Sequence, residues 1–370
     1  MTKRLDPGFG IMNRRGFLSG TAAAGFVLVA PGDGRAQEWP TKPISLVIMY
    51  APGGGTDTLM RVIGQEMAKA KGWTIEPLSK PGAVGGIATN YVLQQPSDGH
   101  TLLGAANFNR YVRVMGHADT VLWKDWAIFQ AASSLMSWSV AAGSDFQTFE
   151  DVLAYAKENP GRLTISTSGA GGIWHEMGMV VANAAGIDVK FVPYDGGGPA
   201  SLAGLQGETQ IAGGGVHEHI ELLRAGKLRN IFHGGREDIT LDDGTVLPSI
   251  GNFMPDLQDN LPMGAEYNIL VKRDTPIEAL RQIKEAFEAA VASEAFQEIA
   301  EKQHFDMEVL SGEKADRKAA RLETQTVAIF NRYPDQIGAE VKSAEELGLP
   351  APDEFESWWP PEGYEPLDLS

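Results

Sequence analysis

One unit recurs along this chain, a short apolar run followed by a glycine-rich turn and an amphipathic run, and few folds can accommodate it. Residues 44–49 lead through Pro52-Gly53-Gly54-Gly55-Thr56-Asp57 into a run with Leu59, Val62, Ile63 and Met67 on one helical face, and Gly72 stands where a C′ glycine belongs. Residues 74–78 read as a strand, Lys80-Pro81-Gly82-Ala83-Val84-Gly85-Gly86 as a second glycine loop opening a helix, and 101–103 as the start of another strand. The unit restarts after Trp138. A helix over 149–158 stops at Asn159-Pro160-Gly161, a strand spans 163–166, and Ser168-Gly169-Ala170-Gly171-Gly172 is a third glycine loop before a helix reaching Ala185. Residues 189–193, 209–212 and 228–232 supply further strands, and Thr275-Pro276-Ile277-Glu278 reads as a capping box with proline at N1. The last residues, 350–370, lack periodicity and read as an extended strap. Repeated winding of this kind predicts an α/β fold with open, mostly parallel sheets, and 370 residues favour two cores over one. Ligands of such sheets collect at the carboxyl ends of strands, so glycine loops from both halves can converge on one cleft.

Each glycine turn aims backbone N–H groups and the positive end of a helix dipole at whatever occupies it, which suits an anion. The chain carries 31 basic and 48 acidic residues, a formal charge of −17, which argues against nucleic acid or an anionic membrane surface as partner. An anionic ligand must therefore be held by local dipoles. The turn at 52–57 lacks the Lys-Ser/Thr ending of a P-loop and the spacing of the dinucleotide fingerprint, so a nucleotide is not expected and a small carboxylate is. Cysteine is absent, which excludes disulfides, thiolate metal sites and cysteine nucleophiles. At the start, Asn13-Arg14-Arg15-Gly16-Phe17-Leu18 precedes a mildly apolar stretch, 20–30, and Gly34-Arg35-Ala36 offers a cleavage site after Ala36. Residues 1–36 are thus expected to be a Tat-like export signal, with a Sec signal as the alternative, and the mature protein to be periplasmic.

The order Pro52-Gly53-Gly54-Gly55-Thr56-Asp57, Pro81-Gly82-Ala83-Val84-Gly85-Gly86, Ser97-Asp98-Gly99-His100-Thr101-Leu102-Leu103, Ser168-Gly169-Ala170-Gly171-Gly172 with His175, Val192-Pro193-Tyr194-Asp195-Gly196-Gly197 and Ala225-Gly226-Lys227-Leu228-Arg229 resembles the periplasmic receptors of tripartite tricarboxylate transporters, the Bug family. The resemblance implies a two-lobed solute-binding protein of periplasmic-binding-protein type II, with no enzymatic activity and no cofactor, monomeric, passing a small carboxylate to membrane permease subunits. Residues 37–137 with 263–349 would form lobe 1, and 138–262 lobe 2. Carried onto this chain, Gly54, Gly55, Thr56 and Asp57 would meet the ligand's carboxylate with Val84, Gly85 and Gly86 beside them, and Ser168, Gly169, Ala170, Gly171 and His175 would close from lobe 2, with Tyr194 close by. Asn107 and Phe108, at the end of a lobe 1 strand, are further candidates for the cleft wall.

Three stretches depart from the family pattern: Ile173-Trp174-His175-Glu176, Ala212-Gly213-Gly214-Gly215-Val216 and the segment 266–276. Trp174 either stacks on a flat acid in the cleft or lies in the core under the lobe 2 sheet. His175, His217 and His219 raise the alternative of a zinc hydrolase, but His217 and His219 are two apart and fall on different helix faces, unlike a His-Glu-x-x-His pair. The plainer expectation for that pair is a solvated helix start beside Glu218 and Glu221. A ligand-sensing role for a signalling partner is the other alternative. Asp57 has a purely local reading too, as a first-turn acid that stabilises its helix.

Overall fold

The computed structural model describes residues 39–369, so the expected export signal, 1–36, lies outside the described residues. Among the described residues no helix is long and apolar enough to cross a membrane. The first winding is as the sequence predicts. Strand β1 (Ile44–Ile48) feeds helix α1 (Gly55–Lys71), which ends on Gly72 in the left-handed conformation with its N–H on the Ala68 carbonyl. Strand β2 (Ile75–Ser79) pairs in parallel with β1, helix α2 (Gly86–Leu93) follows, and β3 (Thr101–Ala106) pairs in parallel on the other side of β1.

Parallel order stops there. Strand β4 (Trp126–Ala141) is sixteen residues long and changes partners along its length. Its first half pairs antiparallel with β9 (Gly264–Lys272) and β10 (Asp306–Ser311), giving the sheet order β10-β4-β9-β3-β1-β2. From Met136 onward it pairs antiparallel with β7 (Ala212–Gly215) and β8 (Leu228–His233). The sheet is therefore mixed, because one strand threads two layers that sequence periodicity treats as separate. Strands β5 (Leu163–Thr167) and β6 (Val189–Pro193) pair in parallel, and a bridge from Ile165 to Ile211 continues them toward β7.

Helices α3 (Phe149–Glu158), α4 (Ile173–Ala185), α5 (Gly197–Gln206) and α6 (Val216–Arg224) wind around this second set of strands. Helices α7 (Ile277–Val291), α8 (Glu294–Lys302) and α9 (Gly312–Arg332) belong to the end of the chain. Trp138, Phe149 and Phe232 pack ring against ring where β4 meets β8 and α3. Burying such rings stabilises by about 1.5–3 kcal/mol each.

Three local expectations are corrected. The strand expected over 209–212 forms at Ala212–Gly215: residues 209 and 210 are bent, with the Thr209 hydroxyl donating to the Ile211 carbonyl, and Ile211 makes only a bridge to Ile165. The capping box at Thr275 is not formed: Pro276 itself is the N-cap residue of α7, and the buried Thr275 hydroxyl has no partner. The terminal strap contains a short helix, Phe355–Trp358, pinned by buried Phe355 and by edge contacts of Trp358 and Trp359 on Trp123.

Candidate functional site

Strands β1, β5 and β7 each end in glycines that start a helix, and these ends meet. The Ala51 amide donates to the Asp195 carbonyl at 3.0 Å, joining the turn after β1 to the turn before α5. Behind this contact lies a narrow chamber of about 10 Å³, lined by Tyr50, Gly54, Gly55, Thr56 and Asn107 from the first half of the chain, by Ser168, Ile173, Trp174, Gly197 and Glu218 from the second, and by Tyr267 from β9. The walls are close enough to require glycine. A Cβ on Gly198 would come within 2.8 Å of the Gly53 carbonyl carbon, one on Gly197 within 1.6 Å of Glu218 Oε1, and one on Gly55 within 2.1 Å of His217 Nε2.

Glu218 is the acidic side chain among those lining the chamber, which include no lysine or arginine. It is buried at the third position of α6, where its Oε2 accepts from the Gly215 amide at 2.9 Å. Its Oε1 reaches the start of α1, with the Gly55 amide at 3.4 Å and His217 Nε2 at 3.6 Å. Burial alone would raise its pKa, but the His217 imidazole and the Gly215 amide outweigh that and hold it below the usual carboxylate range. His217 Nε2 shares its other contact with the Tyr267 hydroxyl at 3.0 Å. Tyr50 is raised well above an ordinary phenol, first by burial and then by the Glu218 charge, and its buried hydroxyl faces Ser168 across the chamber. Asn107 Nδ2 is buried and unpartnered. Asn107, Phe108 and Asn109 all have positive φ, at 57°, 53° and 62°, a strained turn held by the Phe108 amide on Asn268 Oδ1 at 2.8 Å and Asn109 Nδ2 on Thr89 Oγ1 at 2.7 Å.

Of the residues singled out in the sequence, Gly54, Gly55, Thr56, Asn107, Ser168 and Trp174 line this chamber. Val84, Gly169, Ala170 and Tyr194 line an adjoining groove that shares Tyr50 and Ser168 with it. Asp57, Gly85, Gly86, Phe108 and Gly171 line neither space. Asp57 turns back, accepting from the Gly53 amide at 3.2 Å and pairing with Arg61 at 2.7 Å, which is its local helix-start role. Phe108 is fully buried packing. His175 accepts from the Gly171 amide at 2.9 Å through Nδ1, and burial lowers its pKa to about 4. It lines a wider, more open groove between 186–193 and 335–338. That groove gathers none of the helix starts at Gly55, Ile173 or Gly197. Trp174 is 3% exposed yet stands in the chamber wall, so it is both buried and cleft-facing.

The expectation of a solvated start for His217 and His219 is corrected. Both are buried, because α6 springs from the interior strand β7 rather than from an edge. His219 Nδ1 lies 3.0 Å from the hydroxyls of Ser137 and Ser139, and burial lowers its pKa to about 4. His175, His217 and His219 thus have separate partners, and among the described residues no three histidine, aspartate or glutamate side chains are grouped to hold a metal ion. Sequence reasoning missed Tyr50, Glu218 and Tyr267. The run Gly213-Gly214-Gly215 before Val216 was the available signal, since it repeats the strand, glycine, helix form of the other loops. Glu176 lies outside the chamber, tied to Arg110 at 3.3 Å, to Thr326 at 2.9 Å and to Tyr111. Arg110 also pairs with Glu266 at 3.3 Å, so this buried network joins α4 to β9 and α9.

Residues 59–332 match the model of the tripartite tricarboxylate transporter family receptor. A Cupriavidus necator relative, "UPF0065 protein in gbd 5'region", is 26% identical over 299 residues, covering 80% of this chain and 88% of its own. The periplasmic binding protein BugD superposes with a TM-score of 0.73 at 19% identity, covering 82% of this chain and 99% of BugD. MatC from Rhodopseudomonas palustris, solved with bound malate, superposes at 0.67 and 21% identity, covering 80% of this chain and 99% of its own. These likenesses establish the periplasmic-binding-protein fold for this chain.

Proposed function

Given that the chain belongs to the tripartite tricarboxylate transporter receptor family, we propose that it is a periplasmic receptor that captures one small organic carboxylate by closing two lobes on it and hands it to membrane permease subunits. The observation that carries this reading is the convergence of the starts of α1, α4 and α5 on one cleft. Amides at helix starts hold an anion without a buried lysine that would need its own counterion. MatC's bound malate is a carboxylate of the expected size.

In this reading residues 37–137 and 263–349 form one lobe, 138–262 the other, and 1–36 the export signal removed after Ala36. The site consists of Tyr50, Gly54, Gly55, Thr56, Asn107, Ser168 and Trp174, with Val84, Gly169, Ala170 and Tyr194 toward the mouth. The protein performs no catalysis and needs no cofactor. It acts as a monomer, because the ligand contacts come from two lobes of one chain. Since both walls contribute contacts, the closed state is favoured only by ligand, and that difference is what a permease can read.

The test is a thermal-shift screen of residues 37–370 with di- and tricarboxylates, aromatic acids and their amides. Ligand at about 100 times Kd stabilises by roughly 2.7 kcal/mol. A shift with an acid and none with its amide is expected; equal shifts, or none with any acid, would remove the carboxylate reading.

A further inference from the structure

The family match ends at Arg332, the last residue of α9, and what the chain does next links two parts of the molecule. A short helix, Pro334–Ile337, follows and brings Gln336 to the end of α4. There Asn183 Nδ2 donates to Gln336 Oε1 at 2.9 Å and Gln336 Nε2 donates to Asn183 Oδ1 at 3.2 Å. The Asn183 amide is fixed in that direction, because its Nδ2 also donates to the Met179 carbonyl at 2.7 Å. Ile337, 1% exposed, supports the glycine loop 168–172 from beneath: a Cβ on Gly171 would come 3.5 Å from Ile337 Cγ2 and 2.6 Å from Met115 Sδ. The chain then passes Ala339, which lines the groove adjoining the chamber, and is fastened again on residues of the first half. The Lys342 amide donates to the Val114 carbonyl at 2.9 Å, and Arg113 donates to the Leu347 carbonyl at 2.7 Å. A capping box at Ser343 and the buried Leu347 make that end firm.

Helix α4 is thus tied at Glu176 and at Asn183, seven residues apart, which is about 10 Å along a helix. At Glu176 the tie is the buried pair with Arg110, with Thr326 and Tyr111 beside it. At Asn183 it is an exposed pair of amides. In the two-lobed reading α4 and loop 168–172 belong to one lobe and α9, Arg113 and Val114 to the other, so both ties cross between lobes. Separating a buried ion pair is costly, whereas water readily replaces an exposed amide pair. We propose that α4 pivots on the Glu176 end when the lobes part, and that Gln336 and Ile337, anchored to the other lobe on both sides, are the catch that holds its Asn183 end in the closed form. They touch no ligand and act through loop 168–172 as positioning residues for capture. A contact made only in the closed form raises the population of that form with or without an acid, and apparent affinity follows that population. The inference rests on the lobe-closure reading, and its failure can be told apart from failure of that reading.

The experiment measures the distance between the lobes without any ligand. The chain has no cysteine, so Leu78→Cys and Leu202→Cys, at side chains 41% and 49% exposed, admit two spin labels on residues 37–370. Double electron–electron resonance should find part of the unliganded protein at the closed distance. Gln336→Ala removes an exposed side chain, so the thermal midpoint should stay nearly unchanged while the closed fraction falls by about fivefold or more. Exchanging the amides, Asn183→Gln with Gln336→Asn, restores the pair and should restore the closed fraction, which a merely structural role for either side chain would not do. Any acid that binds in the thermal-shift screen should lose affinity for Gln336→Ala by the same factor. A distance distribution that Gln336→Ala leaves unchanged, but that an acid of the screen shifts, would overturn the catch and keep lobe closure. A closed fraction that stays low in the exchanged pair would overturn it as well, and one distance unmoved by the variant and by every acid would overturn both.

Discussion

Gly55→Ala separates closure from folding. Gly55 opens α1 with ordinary helical geometry, so alanine carries no backbone penalty there and is the better helix former. Its Cβ would sit 2.1 Å from His217 Nε2 and 2.5 Å from Cδ2, whereas ordinary contact begins near 3.4 Å, so His217 must retreat by about 1.3 Å. It has little freedom to do so. The ring is held by the Tyr267 hydroxyl at 3.0 Å and lies against Phe305 with ring centroids 4.6 Å apart. Overpacking of this kind costs about 1–3 kcal/mol. If α6 approaches α1 only on closure, that cost falls on the closed state alone, and ligand affinity should drop by about 5- to 150-fold. The assay is calorimetric titration with the acid that most stabilises the wild type, beside a thermal melt without ligand. Affinity should fall with the unliganded midpoint nearly unchanged. Wild-type affinity would refute the reasoning, and a midpoint lowered by the full cost would show that the two helix starts touch in the open protein as well.

Other outcomes follow from the same geometry. Arg110→Met leaves Glu176 and Glu266 buried without their cation, so urea unfolding should show a loss of about 3–5 kcal/mol; a loss under 1 kcal/mol would mean the network is dispensable. Asp57→Asn keeps an acceptor for Gly53 and gives up only the half-exposed pair with Arg61, so stability should change by less than about 1 kcal/mol and ligand affinity by less than twofold, as read by melting and titration. His175 and His219 are held neutral down to about pH 4 by burial, while in the unfolded chain they protonate near 6.5. The unfolded state thus binds more protons in that window, and their contribution to stability is complete above pH 6.5 and lost as pH falls toward 4. His219→Gln should therefore reduce the slope of unfolding free energy against pH between 4 and 6.5 by about one proton, roughly 1.4 kcal/mol per pH unit, and an unchanged slope would contradict the assignment. Trp174→Phe should remove most of the ligand-induced change in tryptophan fluorescence, and an undiminished change would place Trp174 away from the ligand.

Much of the first winding was legible because each signal there is local. Gly72 ends α1 because it takes the left-handed turn itself, and Ile44–Ile48 reads as a strand from its apolar content alone. What was not legible depends on where strands sit. His217 and His219 look like a solvated helix start beside Glu218 and Glu221, and only the position of β7, paired to the long β4, turns them inward. The contact between Glu218 and Gly55 spans 163 residues and leaves no trace in periodicity. The mixed sheet was hidden for the same reason, since the two halves of β4 serve different partners, β9 and β10 before Met136 and β7 and β8 from there on. Tyr50 stands at the edge of the first glycine turn, where a tyrosine ending a strand ordinarily packs, so nothing in the sequence marks it as a site residue.

The central claim, capture of one carboxylate in one cleft, is tested most directly by isothermal titration of residues 37–370 with the acid that raises the melting temperature most and with that acid's amide. The account predicts saturable binding of the acid at one site per chain and no detectable heat from the amide. Binding of the amide with the acid's affinity, or an acid that saturates at several weak sites, would contradict it.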